Sequence, residues 1–250
     1  MRPYRSVLLV GLSLLVLGLA GCQDNAHQSS ASYKNASTSS KKYKAPKPDA
    51  AVTQSSSSKI AQSYKPKTAQ TQSKNYVKSG MLKQEGQYTF DKVGTKLTLD
   101  KVHQSAQTIK SGQLTYRIDT VRVIRNVAET ADAKKMAAQA LDMPSIKSPY
   151  YTLQVKFTII NRGKRAVTTD GIKAIRLNDD RQISANNQLS DASAGQTIGA
   201  HKQVATFATG LAGQSTDPNL KQIKIAFSGA YSQKQKQLVK PTDWLTITLS

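Results

Sequence analysis

Cys22 is the only cysteine in this chain of 250 residues, and the histidines are His27, His103 and His201. A single thiol forms no internal disulfide, so its use is as a nucleophile or as a point of covalent attachment. No two histidines stand at the short spacing that puts both imidazoles on one metal, and His103 and His201 could meet only through folding. The chain has no Gly-x-Ser-x-Gly nucleophile turn, no glycine-rich phosphate loop and no His-Glu-x-x-His helix. Asp170 and the pair Asp179-Asp180 are the carboxylates on which a calcium loop or an acid–base pair would draw. They lack the alternating acidic and amide ligands around a glycine that calcium loops use, and they read as turn residues. Trp244 opens the last apolar stretch and reads as a core or half-buried edge contact, with a carbohydrate platform as the alternative. No catalytic set, metal site or cofactor is expected, and the chain reads as a non-enzyme.

Cys22 has a clearer context. Arg2 and Arg5 precede an apolar run from Val7 to Leu19, which is shorter than the about 20 residues that cross a bilayer. A charged start, a short apolar stretch and small residues after it describe a secretory signal peptide. The small residues Leu19-Ala20-Gly21 run directly into Cys22, and this segment resembles the bacterial lipobox. The resemblance implies that the Cys22 thiol receives a diacylglycerol group and that cleavage falls between Gly21 and Cys22. Residues 1–21 would then be a removed signal peptide, and the remainder would be anchored to the outer face of the cell membrane, exposed within the wall. More than one acyl chain makes such an anchor stable.

Residues 22–83 are dominated by Ser, Thr, Lys, Gln and Ala, with Asp24 and Asp49 as their only acids. Apolar area is too sparse there to offset the entropy of ordering, so a disordered tether is expected. Tyrosine recurs beside lysine at Tyr33-Lys34, Tyr43-Lys44 and Tyr64-Lys65, with Tyr76 between Lys74 and Lys78. Aromatics interleaved with amines suit polyanion or glycan contact, although a drifting low-complexity linker gives the same pattern.

Residues 84–250 are long enough for one domain with its own core. Tyr151, Leu153, Val155, Phe157 and Ile159 alternate with polar residues and mark a strand that ends at the turn Asn161-Arg162-Gly163-Lys164. Lys96 to Val102 alternates in the same way, with Leu97 and Leu99 as its apolar positions and Val102 as a candidate third. In Leu114 to Val127 the apolar parity switches between Ile118 and Val121, which predicts a bulge near Asp119-Thr120. Strands are also expected at Ile172 to Leu177, Gln203 to Thr209, Lys221 to Phe227 and Trp244 to Leu249. The alanine-rich stretch Glu129 to Leu141, followed by Pro144, predicts one helix. The pattern is that of a mainly β chain, a single β-sandwich with one inserted helix.

The stretch Tyr151 to Asn161, then Ile175-Arg176-Leu177-Asn178-Asp179-Asp180, Ala194-Gly195-Gln196 and Val204-Ala205-Thr206-Phe207, is similar to the telokin-like, immunoglobulin-like domains of uncharacterised function found on Gram-positive lipoproteins. The likeness covers most of Gly94 to Leu249. It implies an immunoglobulin-like sandwich and supplies no catalytic residues, because its motifs are structural.

Charge gives the strongest functional expectation. Lysine and arginine number 36 against 15 acids, a formal net charge of +21. So basic a chain attracts polyanions through a long-range, salt-sensitive field. The expected contacts are Lys41, Lys42, Lys44, Lys65 and Lys67 in the tether, and Arg162, Lys164 and Arg165 in the domain. Teichoic acid, anionic lipid head groups or an envelope protein are the partners this suggests; nucleic acid is not expected. The leading reading is a non-catalytic interaction module of the cell envelope. The alternative is an enzyme, or an enzyme accessory, acting on wall polymer.

Overall fold

The computed structural model describes residues 64–178 and 181–249. Cys22, Gly21, Lys41, Lys42, Lys44 and Asp179-Asp180 lie outside the described residues. Among the described residues, no helix is long and apolar enough to cross a membrane.

A single helical turn, α1 (Thr68–Thr71), comes first. The strands β1 (Tyr88–Phe90), β2 (Thr95–Gln104), β3 (Thr108–Ser111) and β4 (Leu114–Ala128) follow. Helix α2 (Ala131–Ala140) then separates β4 from β5 (Tyr150–Asn161). Next come β6 (Val167–Thr169), β7 (Ile172–Arg176), β8 (Gln182–Ser184), β9 (Leu189–Asp191) and β10 (Gln196–Ile198). The chain closes with β11 (Gln203–Gln214), β12 (Gln222–Phe227), β13 (Ala230–Tyr231), β14 (Gln237–Val239) and β15 (Leu245–Thr248).

Seven strands form one large antiparallel sheet in the order β1-β2-β4-β5-β11-β9, with β3 also paired to β4. Two smaller sheets, β10-β6-β13-β14 and β15-β12-β7-β8, make the facing layer. The alternating residues of β5, Leu153, Val155, Phe157 and Ile159, are fully buried against Ile175, Ile223, Ile225 and Phe227 of that layer. The Tyr116 and Phe227 rings stack with centroids 4.0 Å apart, and Phe157 leans on Phe227 at 5.3 Å. Burial pushes the Tyr116 phenol up to about 12. The fold is therefore the mainly β sandwich that the alternation predicts, with one inserted helix.

The expected bulge is present. The register of β4 against β5 shifts between Ile118 and Thr120, so that Tyr116 and Ile118 before it and Val121 and Val123 after it all face the core. Asp119 at the bulge accepts from Arg117 at 2.7 Å and from the Thr158 hydroxyl at 2.8 Å. Helix α2 starts at Thr130, whose hydroxyl accepts from the Ala133 N–H at 3.0 Å. Its face of Ala133, Ala137 and Ala138 packs with Leu141, Ile146, Tyr150 and Leu211 over one end of the large sheet.

The apolar positions of β2, Leu97 and Leu99, face away from the sandwich interior. They lie with Ile124 on the outer side of the large sheet, under Leu82 and Val77. The boundary expected at residues 83 and 84 needs correction, because Tyr64 to Lys83 packs on the domain. The Tyr64 N–H donates to Lys92 O at 2.7 Å, and its hydroxyl donates to Glu129 at 2.6 Å. Tyr76 forms a parallel bridge with Tyr88, and the rings of Tyr64, Tyr76 and Tyr88 gather around Phe90. Here the tyrosines pack and their neighbouring lysines, Lys65, Lys74 and Lys78, stay exposed. A few well-placed rings supply the apolar area that the average composition does not.

Phe227→Ala is expected to cost about 3–5 kcal/mol, because it removes a ring shared by both layers. Urea unfolding followed by circular dichroism measures this, with an unchanged midpoint as the contrary result.

Candidate functional site

Among the described residues, cavities of about 480, 210 and 310 Å³ open on the surface. The first lies at the end of the sandwich where the β5–β6 and β13–β14 turns meet. These turns are neighbours because β6 pairs with β13, Thr169 opposite Ala230 and Thr168 opposite Tyr231. The open cavity between them has a volume of about 480 Å³ and is lined by Arg165, Ala166, Ser232, Gln233, Lys234, Lys236 and Leu238. It has three cations and no carboxylate in its wall. Arg165, Lys234 and Lys236 pair with no acid among the described residues.

The β5–β6 turn is held from beneath by Asn161, which is 1% exposed. Its amide nitrogen donates to Arg165 O at 2.8 Å, Gly199 O at 3.0 Å and Ile198 O at 3.1 Å. Its oxygen accepts from the Gly163 N–H and from the Gln113 side chain, both at 3.0 Å. Arg162, Lys164 and Arg165 stand exposed around this fixed centre. Gln113 also donates to Arg165 O at 3.1 Å. The turn is thus a rigid mount for flexible cations.

The structure does not unite the basic residues expected to act together. Lys65 and Lys67 flank Pro66 beside α1, where the Gln70 side chain donates to Glu129 at 3.0 Å. Glu129 follows the last residue of β4, whereas the Arg162 N–H donates to Gln113 O just before its first. Fifteen residues of β4 separate the two sets, roughly 45 Å along an extended strand. They form two patches at opposite ends of the large sheet. Lys234 and Lys236 join the second patch, which sequence spacing alone could not reveal.

A second cavity, of about 210 Å³, is lined by Glu85, Asp100, Lys101, Val102, His103, Val121, Val123, Asp217 and Leu249. Burial, then repulsion from Asp217, raises the Asp100 carboxyl above its ordinary value. One Asp100 oxygen is shielded and has no hydrogen-bond partner. His103 and His201 do not meet. The exposed His201 donates its backbone N–H to Gly163 O at 3.2 Å, beside the cationic turn. Among the described residues, no group of three His, Cys, Asp or Glu is placed to hold a metal.

A third cavity, of about 310 Å³, lies on the outer face of the large sheet, where Met81, Leu82 and Lys83 leave it. The remaining singled-out residues have structural settings. Arg176 lies over the Trp244 ring at 4.4 Å, so the ring is half-buried under a guanidinium. Asp170 is exposed on the β6–β7 turn. The half-buried carboxylate nearby is Asp191, which accepts from the Ile172 N–H, the Ser193 N–H and the Ser193 hydroxyl. Burial raises its carboxyl above the ordinary range despite those bonds. Its one sequence signal is Asp-Ala-Ser turn chemistry.

No family model matches this chain, and no curated protein matches it. Among solved structures, it is similar to a functionally unknown protein from Listeria monocytogenes at 16% identity and a TM-score of 0.34. That match covers 58% of this chain and 86% of the other. It is likewise similar to the yjhA protein from Bacillus subtilis at 16% identity and a TM-score of 0.30, covering 50% of this chain and 80% of the other. Likenesses this distant carry no argument about function.

Asn161→Ala leaves buried carbonyls and the Gly163 N–H without partners and is expected to cost about 2–3 kcal/mol by chemical denaturation. The Asp100 carboxyl binds its proton more tightly folded than unfolded, so its contribution to stability falls as pH rises from the ordinary value of 3.8 through the raised one. Asp100→Asn is therefore expected to raise the melting temperature at pH 7 and to lose that gain near pH 3. Scanning calorimetry at both values checks the sign.

Proposed function

We propose that this protein is a non-catalytic binding module of the bacterial envelope, held at the outer face of the cell membrane by diacylglycerol on Cys22. Its cationic end contacts an anionic wall polymer such as teichoic acid. The observation that carries this reading is the cavity shared by Arg165, Lys234 and Lys236, with Arg162 and Lys164 on the same turn. Lysine and arginine from two separate turns converge on one open space, and no acid lines it. An extended phosphodiester chain fits such a surface better than a compact ligand does, because the cavity is open and its cations are long and exposed. The lipobox resemblance supports the location. Contact with an envelope protein remains compatible with the same surface.

A second reading, an enzyme or accessory acting on wall polymer, has one observation in its favour. His103 shares a cavity with Glu85, Asp100 and Asp217, and Asp100 holds its proton more tightly than usual. Histidine beside a raised carboxyl is a combination that general acid–base chemistry uses.

Binding to purified walls, with and without teichoic acid, tests the first reading. Residues 23–250 and 64–250 are compared across a salt series, the shorter form keeping Tyr64 and its contacts. Both forms are expected to bind teichoic acid-bearing walls, with affinity falling as salt rises. Arg165→Glu, Lys234→Glu and Lys236→Glu together are expected to reduce binding at least tenfold in the shorter form. Equal binding by the charge-reversed protein would overturn the reading. Soluble fragments released from walls by the parent protein, and lost with Asp100→Asn, would establish the second.

A further inference from the structure

We propose that the outer face of the large sheet carries a second, separate binding site, for a small amphiphile with an anionic head and an apolar body. The outer face of a sandwich sheet is ordinarily polar, because it meets water. Here residues 77–82 cover part of that face, burying Leu82 on Leu97, Leu99 and Ile124. The cover is fastened by Arg122, which is 5% exposed and donates to Leu82 O at 2.6 Å and to Gln154 at 3.4 Å. Beside Lys83 the cover borders a groove whose floor crosses four strands: Val102 of β2 and Phe207 of β11 are its apolar ends, with Thr120, Arg122, Gln154 and Lys156 of β4 and β5 between them. Met81 stands at the rim, 44% exposed. Of the phenylalanines in the two long strands β5 and β11, Phe157 points into the core, while Phe207 pairs with Lys156 on the outside.

The cavity on this face has a volume of about 310 Å³, the size of small ligand sites and about ten water volumes. Its charge selects the ligand. Lys83, Lys156 and Arg122 line it, the two lysines pair with no carboxylate among the described residues, and no acid lines it. Gln104, Thr120 and Gln154 supply neutral hydrogen-bonding groups beside the lysines. A chain of about ten carbons would lie on Val102, Phe207 and Met81, with its head between the lysine amines. The lysine-rich chain before Tyr64 is repelled by the same amines, so charge disfavours it as the occupant.

The test measures binding of decanoate, decyl phosphate, decanol and decylammonium, each below its micelle concentration, to residues 23–250 by calorimetry. One saturable site is expected for decanoate or decyl phosphate, and whichever binds tighter assigns the head group. Decanol and decylammonium are expected to bind at least tenfold more weakly. Lys156→Glu and Phe207→Ser should each weaken the anion at least tenfold, and Lys156→Arg should retain it. Lys236→Glu, at the other cavity, should leave it unchanged, which separates this site from the polymer-binding surface. Lys156 is exposed, so its variants are expected to fold, and unchanged melting curves verify this. The proposal is overturned if decylammonium binds as tightly as the anions, if no ligand saturates, or if Lys156→Glu binds like the parent.

Discussion

The register between β4 and β5 governs how the molecule divides inside from outside. A strand alternates faces with period two, so an uninterrupted β4 would turn one of its halves the wrong way. The extra residue between Ile118 and Thr120 resets the parity. It keeps Val121 and Val123 in the core and sends Arg122 to the outer face, where it fastens Leu82. Asp119 is exposed to that irregularity and is tied by Arg117 and Thr158, so the bulge has its own polar support. A matching shift in β2, between Leu99 and Lys101, keeps Val102 on the outer face with Leu97 and Leu99, so the core and the covered outer face rest on both irregularities.

The long elements were legible because their patterns are long. Five alternating apolar residues define β5, and the change of parity in β4 is visible in the residues themselves. The alanine-rich stretch yields α2 within a residue or two of its expected ends. Strands such as β8, β9 and β13 span three residues or fewer and cannot display a period. β11 runs past Thr209 through Gly210 and Gly213, residues that weaken a strand signal. A Cβ on Gly210 would approach the Ile183 side chain to 2.5 Å, so the glycine serves a close packing contact that composition does not advertise. Tyr64 to Lys83 carries no packing signal for a related reason, since its anchors are single rings spaced among serines and lysines.

The cationic site was half legible. The turn Asn161-Arg162-Gly163-Lys164 announces itself, but its partners Lys234 and Lys236 arrive through the pairing of β6 with β13, about seventy residues later in the chain. The acidic cavity was invisible, because Glu85, Asp100 and Asp217 have no common spacing. The protein therefore combines a strongly basic average with local exceptions. One cavity gathers cations, one gathers carboxylates around His103, and one sets two lysines and Arg122 beside apolar residues. Net charge describes the long-range field, while each cavity sets its own selectivity.

The packing of Tyr64 against Lys92, Phe90 and Glu129 gives the domain a polarity. The chain enters beside α2, at the pole opposite the Arg162–Arg165 turn. Any pull on the chain at Tyr64 therefore acts on the α2 pole and leaves the cationic pole leading. The basic cavity is carried on the side of the domain farthest from Tyr64, where the incoming chain leaves the approach clear.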